Sequence, residues 1–189
     1  MLSATQVLYA YRSGLFPMAV EEGRIGWFSP DPRGVIPLER FHLPRRLGRV
    51  IRGGTFEVRI NSSFDAVIRA CAKHPDTWIS GDILEVYVEL HRLGFAHSME
   101  AWQGDRLGGG LYGVSLGGAF FGESMFHRVT DASKVALVAL VERLRTRGYR
   151  LLDTQWLTPH LAQFGAIEIP RRQYLGLLAE SLALDCRFT

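Results

Sequence analysis

The chain contains 189 residues and has a mass of 21.2 kDa, which fits one domain of ordinary size or one domain preceded by a short N-terminal piece. Hydrophobic residues make up 47% of it and charged residues 22%, which excludes an intrinsically disordered chain, and two cysteines are too few for a disulfide framework. The net charge is +3, and the longest apolar runs, such as residues 135–141, are far shorter than the ~20 residues needed to cross a bilayer. The N-terminus lacks the pattern of a signal peptide, so we expect a cytoplasmic protein without a membrane partner.

Residues 1–50 are predicted to form a small, loop-rich N-terminal domain. Ser3 and Gln6 have the spacing of a capping box, which predicts a helix that ends at Gly14. Five prolines lie between residues 16 and 44, so this stretch is predicted to be irregular or to form only short strands.

Residues 51–189 are predicted to form a larger domain of alternating strands and helices. Helices are predicted from capping and stop signals over residues 63–73, 80–93, 131–148, 158–165 and 171–184. Strands are predicted over residues 55–61, 95–103, 109–116, 119–126, 149–155 and 166–169. Because three antiparallel strands precede a long helix in this order, the sequence predicts an α+β fold with a mixed sheet flanked by helices.

Three residue patterns resemble known site motifs but lack features that each motif requires. Residues 108–113 (GGGLYG) satisfy the glycine spacing of a dinucleotide site, but a strand follows them, so we interpret the glycines as permitting a bulge or a close backbone approach. Ser124 lacks the second glycine of a nucleophile elbow. His91, His97 and Glu100 do not have the spacing of zinc ligands, and we expect no metal site.

Acidic side chains in two apolar strands are the strongest signal that the residues themselves carry. Asp153 and Gln155 share one face of a predicted interior strand, and Glu123 lies within the apolar run of residues 120–126. Burying a carboxylate without a partner is costly, so each acid needs either a structural donor or a ligand. The pattern suggests a site for a cation, and structural pairing with arginine or a helix N-terminus remains the alternative.

Arginines are concentrated in two segments. Residues 40–59 contain six arginines and one glutamate, and residues 143–150 contain four arginines and no acid. Two local basic segments are compatible with nucleic-acid binding. The arginine content is equally compatible with the codon usage of a GC-rich genome.

Ten short strings of the chain, in order, resemble the bacterial leucyl/phenylalanyl-tRNA–protein transferases over nearly its whole length. The strings are residues 10–17 (AYRSGLFP), 27–33 (WFSPDPR), 71–72 (CA), 77–79 (TWI), 96–102 (AHSMEAW), 109–114 (GGLYGV), 121–126 (FGESMF), 131–134 (DASK), 153–155 (DTQ) and 169–172 (IPRR).

The resemblance implies an enzyme that moves Leu or Phe, and also Met, from aminoacyl-tRNA to the N-terminal Arg or Lys of an acceptor protein. The new peptide bond creates an N-degron, which directs the acceptor to degradation. The family fold is a small N-terminal domain followed by an N-acetyltransferase-like catalytic domain. An aminoacyl ester is already activated, so the reaction is expected to need no metal and no cofactor.

The resemblance also implies which residues act on the acceptor. Asp153, together with Gln155, would orient the attacking α-amine and accept or relay its proton. Glu123, together with Asp153, would complement the guanidinium or ammonium group of the acceptor. Thr158 stands where some family members have asparagine near this site.

The donor is expected to occupy an apolar pocket and a basic surface. By position in the family, the pocket is lined by Leu111, Phe120, Phe121, Ser124, Met125, Leu140, Leu144 and Leu152. Trp27, Phe28 and Trp78 are expected to stack on the terminal adenosine or to contact the edge of the pocket. Met18 stands at a position of this region where longer family members often have tryptophan. The tRNA phosphates are expected at one of two groups, either Arg45, Arg46, Arg49 and Arg52, or Arg143, Arg145 and Arg147.

Two other functions remain as alternatives. An acyl-CoA-dependent N-acetyltransferase would share the fold class, but it needs glycine-rich amides for the pyrophosphate, and residues 128–133 (RVTDAS) contain no glycine and one acid. The second alternative is a non-catalytic module that binds tRNA ends or N-degrons.

Overall fold

The computed structural model describes residues 2–75 and 77–189. Within these ranges the helices are α1 (Ala4–Arg12), α2 (Arg45–Arg52), α3 (Phe64–Cys71), α4 (Gly81–Arg92), α5 (Ala132–Thr146), α6 (Pro159–Ala162) and α7 (Arg171–Leu182). The strands are β1 (Phe16–Ala19), β2 (Ile25–Phe28), β3 (Arg33–Val35), β4 (Glu57–Ile60), β5 (Ala96–Gln103), β6 (Arg106–Leu116), β7 (Ala119–His127), β8 (Leu151–Gln155) and β9 (Ile167–Ile169).

The larger sheet has seven strands in the order β4-β5-β6-β7-β8-β3-β9. Strands β4 to β7 form an antiparallel meander, β8 pairs parallel to β7, and β3 lies antiparallel between β8 and β9. Strands β1 and β2 form a separate antiparallel pair. The predicted α+β class, with a mixed sheet flanked by helices, is confirmed.

Each face of the large sheet carries its own apolar core. Helices α1, α3, α4 and α7 pack on one face through residues such as Val67, Ile83 and Leu178. Helix α5 packs on the other face, where Leu140 and Leu152 belong to the same buried cluster. The sheet is therefore covered on both sides, so a polar side chain within it is desolvated unless it reaches a cavity.

The N-terminal elements follow the sequence pattern closely. Ser3 and Gln6 form the predicted capping box at the start of α1, and Gly14 has a positive φ of 78°, as a residue that ends a helix requires. Short strands occupy the proline-rich stretch as predicted. Strand β3 nevertheless joins the seven-stranded sheet, although the predicted N-terminal domain includes it. The division into residues 1–50 and 51–189 stays a prediction.

Helix α2 forms where the sequence predicted no helix. Pro44 stands at its N-cap position, and no side chain caps it. Leu47 is buried and belongs to the same apolar cluster as α5. Tertiary packing of this side chain, rather than a local capping signal, therefore stabilises the helix.

The glycines of residues 108–113 serve backbone packing. A Cβ on Gly113 would lie 2.2 Å from the carbonyl oxygen of Phe121, and one on Gly109 would lie 2.8 Å from that of Phe126. The register between β6 and β7 shifts at this point, from Tyr112 opposite Ser124 to Gly113 opposite Gly122. The interpretation of these glycines as a bulge with close backbone approach is confirmed.

None of the helices in the described ranges has both the length and the apolar character that crossing a membrane requires.

Candidate active site

A cavity of about 310 Å3 opens at the end of the parallel pairing between β7 and β8. The last paired residues are Phe121 and Asp153, and beyond them both strands contribute to the wall. The lining consists of Phe16, Met18, Trp78, Leu111, Tyr112, Gly122, Glu123, Ser124, Met125, Leu137, Leu140, Leu152, Thr154, Gln155, Trp156, Thr158, His160 and Leu161. The cavity combines a mainly apolar wall with a small number of polar groups, as small-molecule sites do.

Local backbone irregularities place the polar groups of this cavity. Ser124 and Gly122 of β7 pair with consecutive residues of β6, so Glu123 between them has no partner and is the extra residue of the β7 bulge. Gln155 has a positive φ of 61°, which turns the chain at the end of β8. Strand β3 approaches this turn closely, because a Cβ on Gly34 would lie 2.4 Å from the carbonyl carbon of Trp156. Both polar side chains are thus held where the two strands separate.

Glu123 is a buried carboxyl group with three side-chain donors. Tyr11 Oη donates to Oε1 at 2.5 Å, Gln155 Nε2 donates to Oε1 at 3.2 Å, and Tyr87 Oη donates to Oε2 at 3.3 Å. The hydroxyls of Tyr11 and Tyr87 also contact each other. Burial raises the pKa of Glu123 to about 8, and the negative charge of Asp153 adds to this effect, while the hydrogen bonds from the two tyrosines oppose it.

Asp153 is fully buried and lies outside the lining of the cavity. Its Oδ1 accepts hydrogen bonds from Arg33 Nε at 3.0 Å and from the backbone N–H of Gln155 at 2.9 Å. Its Oδ2 accepts from Arg33 Nη2 and from Tyr174 Oη, both at 2.7 Å. The structural pairing with arginine that the sequence left open is therefore present. The action of Asp153 on an amine stays a prediction.

Gln155 connects the two carboxyl groups. Its backbone N–H donates to Asp153, and its side-chain amide nitrogen donates to Glu123. The amide oxygen of Gln155 is its remaining acceptor, on a side chain that lines the cavity. A change at Asp153 can therefore reach the cavity through the position of Gln155.

The structure brings many of the expected site residues together and leaves others apart. Those that line the cavity are Met18, Trp78, Leu111, Glu123, Ser124, Met125, Leu140, Leu152 and Gln155. Those outside the lining are Trp27, Phe28, Phe120, Phe121, Leu144 and Asp153. Phe120 and Phe121 instead pack in the two cores, with rings against Phe188 and Tyr11 respectively. The substrate-binding roles of all these residues stay predictions.

Sequence reasoning missed the groups that hold the carboxyls: Tyr11, Arg33, Tyr87 and Tyr174. Tyr11 and Arg33 belong to strings that carry the family resemblance, which was the available signal. Their partners lie 112 and 120 positions away, a separation that no local periodicity can bridge. It also missed wall residues, among them Phe16, Leu137, Trp156, His160 and Leu161.

Two buried polar side-chain atoms have no hydrogen-bond partner within the described ranges, Tyr112 Oη and His160 Nε2. Both residues line the cavity. Unpaired buried polar groups are rare in folded proteins, so two of them among the residues that line one cavity mark it as a candidate ligand site.

The two arginine groups differ in the hydrogen bonds that their side chains make. Arg143 Nε donates to the carbonyl oxygen of Phe188 at 2.6 Å, and Arg145 Nε donates to that of Leu38 at 2.8 Å, whereas Arg147 is exposed. On α2, the Nη2 atom of Arg46 lies 3.1 Å from Asp131 at the start of α5. A surface groove next to it is lined by Leu43, Pro44, Arg45, Gly48, Arg49 and Arg52.

The residues weighed as metal ligands have structural partners. His91 Nδ1 donates to the carbonyl oxygen of Ala96 at 2.8 Å, and His97 Nδ1 lies 3.0 Å from the amide of Asn61. Glu100 accepts from Ser63, Ser98 and Trp102. In the part of the chain that the structure describes, no group of three or more His, Cys, Asp and Glu side chains could hold a metal ion.

Comparison with known proteins covers nearly the whole chain. Residues 35–179 match the family described as leucyl/phenylalanyl-tRNA protein transferase, and residues 1–31 match the family described as its N-terminal domain. A leucyl/phenylalanyl-tRNA–protein transferase of Gloeobacter violaceus is 56% identical over 188 residues, which cover 99% of this chain and 97% of the relative. The protein of that name from Rubrobacter xylanophilus is 55% identical, and the match covers 99% of this chain and 98% of the relative. The protein of that name from Phenylobacterium zucineum is 58% identical, and the match covers 98% of this chain and 86% of the relative.

Proposed function

The chain belongs to the leucyl/phenylalanyl-tRNA–protein transferase family, and we propose that it transfers Leu, Phe or Met from aminoacyl-tRNA to the N-terminal Arg or Lys of an acceptor protein. One observation carries this proposal. A wall of leucine side chains lies beside the hydrogen-bonded pair of Glu123 and Gln155 in a single cavity. Such a cavity suits an apolar aminoacyl group on one side and a cationic acceptor on the other. Because the donor is a tRNA, we place the reaction in the cytoplasm, and its product carries an N-degron for degradation.

The reaction needs little beyond correct positioning. The acceptor's α-amine attacks the ester carbonyl, the new C–N bond forms, and the C–O bond to the terminal ribose breaks. The amine loses one proton and the departing ribose oxygen gains one, so the neighbouring ribose hydroxyl can relay it. The amine has an unperturbed pKa of about 7.7–8.0, so a useful fraction is neutral near pH 7. Holding the two reactants in contact then supplies most of the acceleration.

Gln155 and Glu123 are proposed to hold the acceptor. The amide oxygen of Gln155 accepts a hydrogen bond from the α-amine, which aims the nitrogen at the ester. The ionised form of Glu123 pairs with the guanidinium or ammonium group of the acceptor's first side chain. Asp153 acts through Gln155, since four donors already satisfy its oxygens and one of these is the Gln155 backbone.

The apolar wall is proposed to select the amino acid. Leu111, Leu140 and Leu152 are almost completely buried and face a cavity of about 310 Å3. Side chains without a branch at Cβ, such as those of Leu, Phe and Met, can extend into this space. The terminal adenosine then lies towards Met18 and Trp78, whose side chains share the lining.

Helix α2 is the proposed contact for the tRNA phosphates. Its Arg46 is joined through Asp131 to the start of α5, and α5 lines the cavity with Leu137 and Leu140. In the other arginine group, Arg143 and Arg145 already donate to backbone carbonyls. The α2 group therefore has more donors available for phosphate.

The decisive experiment is transfer of radiolabelled Leu or Phe from charged tRNA to a peptide that begins with Arg. A peptide of the same sequence that begins with Ala is the matched control. We expect incorporation into the first peptide only. No incorporation into either, while a known transferase is active in the same mixture, contradicts the proposal.

The variant Asp153→Ala separates an enzyme from a binding module. For the enzyme, turnover falls because Gln155 loses its support. For a module that only binds tRNA ends or N-degrons, there is no turnover to lose, and the variant changes acceptor affinity alone.

A further inference from the structure

The cavity wall contains a histidine whose hydrogen-bonding capacity is only half used. His160 lies in α6 with its ring against Phe164, at a centroid distance of 5.8 Å. Its Nε2 atom is buried and has no partner within residues 2–75 and 77–189. Because folded proteins normally pair their buried polar atoms, an unpaired atom on a residue that lines a cavity points to a ligand.

The hydrogen-bond partner of Nδ1 shows which of the two ring nitrogens of His160 carries the hydrogen. The Nε2 atom of Gln163 donates to the carbonyl oxygen of His160 at 2.8 Å, which fixes the amide nitrogen on that side. The same nitrogen lies 3.4 Å from His160 Nδ1, and since an amide nitrogen only donates, Nδ1 is the acceptor. A neutral ring with an acceptor at Nδ1 carries its hydrogen at Nε2. His160 therefore carries one N–H donor that has no partner among the described residues, on a side chain that lines the cavity.

The surroundings of His160 keep the ring neutral. Burial lowers the pKa of His160, and the electrostatic effects of the nearby Lys134 and His127 lower it further. The positive charge of Lys134 acts on His160 and disfavours a cationic ligand beside this ring, whereas Glu123 is a carboxyl group that lines the same cavity. The cationic acceptor is proposed to pair with Glu123, which leaves the nucleotide substrate as the source of the ligand group at His160.

The chemistry of the donor substrate narrows the contact to a few atoms. Leu137, Leu140 and Leu161 line the same cavity as His160 and suit the apolar side chain of the transferred amino acid. That side chain offers no hydrogen-bond acceptor. The acceptors next to it in an aminoacyl-tRNA are the oxygens of the ester and of the terminal ribose.

We propose that the Nε2–H of His160 donates a hydrogen bond to an ester or ribose oxygen of the terminal aminoacyl-nucleoside. This role rests on the proposed function, since it requires aminoacyl-tRNA as the donor. His160 is then a substrate-binding residue that positions the donor ester against the amine held at Gln155.

The first test compares two substitutions of His160. In His160→Phe the ring shape is retained and the donor is lost, whereas His160→Gln places an amide N–H near the position of Nε2. We expect His160→Phe to raise KM for charged tRNA about fivefold, the loss of one neutral hydrogen bond, with KM for the Arg-starting peptide unchanged. We expect His160→Gln to stay within about twofold of the unsubstituted protein.

A second measurement needs no substitution. Histidine 15N NMR of the unsubstituted protein, titrated with 3′-phenylalanylamino-3′-deoxyadenosine, reports the proton on His160 Nε2 directly. We expect a downfield shift of this proton on binding. Unchanged kinetics in His160→Phe, an effect on the peptide KM instead, or an unshifted proton at saturating probe overturns the assignment. Absence of transfer by the unsubstituted protein is a different result, which overturns the proposed function itself.

Discussion

Arg33 and Asp153 form a bidentate ion pair whose side chains are both inaccessible to solvent. The guanidinium lies between the rings of Phe16 and Tyr174, 4.8 Å and 4.4 Å from their centroids, and also donates to the carbonyl oxygen of Gly14. The pair joins β3 to β8 two residues before Gln155, where the chain turns. The N-terminal part of the chain therefore supports the candidate site through Asp153, which accepts a hydrogen bond from the backbone N–H of Gln155.

Replacement of Arg33 is expected to destabilise the fold strongly. In Arg33→Met the carboxylate of Asp153 stays buried without its counter-charge, and breaking such a pair costs about 3–5 kcal/mol. Urea unfolding followed by circular dichroism measures this loss. The control is Arg69→Met, which removes an exposed pair with Asp65 and is expected to cost about 0.5 kcal/mol or less. Equal losses in the two variants contradict the role of burial.

Glu123 is expected to make the stability depend on pH. Its pKa is about 8 in the folded protein and about 4.3 in an unfolded chain, so the folded state binds more protons between these values. The free energy of unfolding therefore falls as pH rises from about 4.3 to about 8, with a slope of at most about 1.4 kcal/mol per pH unit. The contribution is fully present below the lower value and is lost above the higher one.

The variant Glu123→Gln isolates this contribution from those of other titrating groups. Unfolding free energies of both proteins are measured between pH 5 and pH 9, and their difference should change across this range and level off above pH 8. The exposed Glu57 provides a control, because Glu57→Gln should give a constant difference over the same range. A constant difference for Glu123→Gln means that the buried carboxyl does not titrate as described.

The same variant is expected to impair acceptor use selectively. Loss of the charge at Glu123 removes a charge-assisted hydrogen bond to a basic first side chain, which corresponds to about 10-fold or more in KM for an Arg-starting peptide. KM for charged tRNA should stay within about twofold, since the proposed donor contacts are with the leucine side chains and His160 rather than with Glu123. Steady-state kinetics with each substrate varied in turn measures both values. Equal increases in the two contradict the assignment.

Short-range signals account for the elements that the sequence predicted well. Helix α4 begins after Ser80, whose hydroxyl accepts from the backbone of Ile83, and Gly94, beyond its last turn, has a φ of 82°. Both features can be recognised within a few residues. The two-residue period placed Asp153 and Gln155 on one strand, and the apolar run around Glu123 marked the neighbouring strand, so the polar part of the site was within reach of the sequence.

Long-range contacts account for what the sequence could not predict. Strand β3 has only three residues, and its place in the sheet depends on pairing with β8 and β9, more than 100 positions away. The bulge that directs Glu123 into the cavity depends on the register between β6 and β7. The Arg33–Asp153 pair joins two strands that no local pattern connects. Each of these features follows from tertiary packing rather than from propensity.

The hydroxyl of Tyr112 can be used to test whether the cavity lining contains an unpaired polar group in the protein without substrate. It is buried without a partner among the described residues, and an unpaired buried hydroxyl costs about 1–3 kcal/mol of desolvation. The variant Tyr112→Phe keeps the ring, so it should be at least as stable as the unsubstituted protein in urea unfolding.

Tyr174→Phe is the matched control for this prediction. It removes a hydroxyl that donates to Asp153 at 2.7 Å, so a charged group loses one of its four donors. We expect this variant to be less stable by about 1.5–3 kcal/mol, as for other hydrogen bonds to charged groups. If Tyr112→Phe loses as much stability as Tyr174→Phe, the Tyr112 hydroxyl has a partner in the free protein and is not held ready for a ligand. If only Tyr174→Phe loses stability, the desolvation cost at Tyr112 is one that a bound substrate can recover.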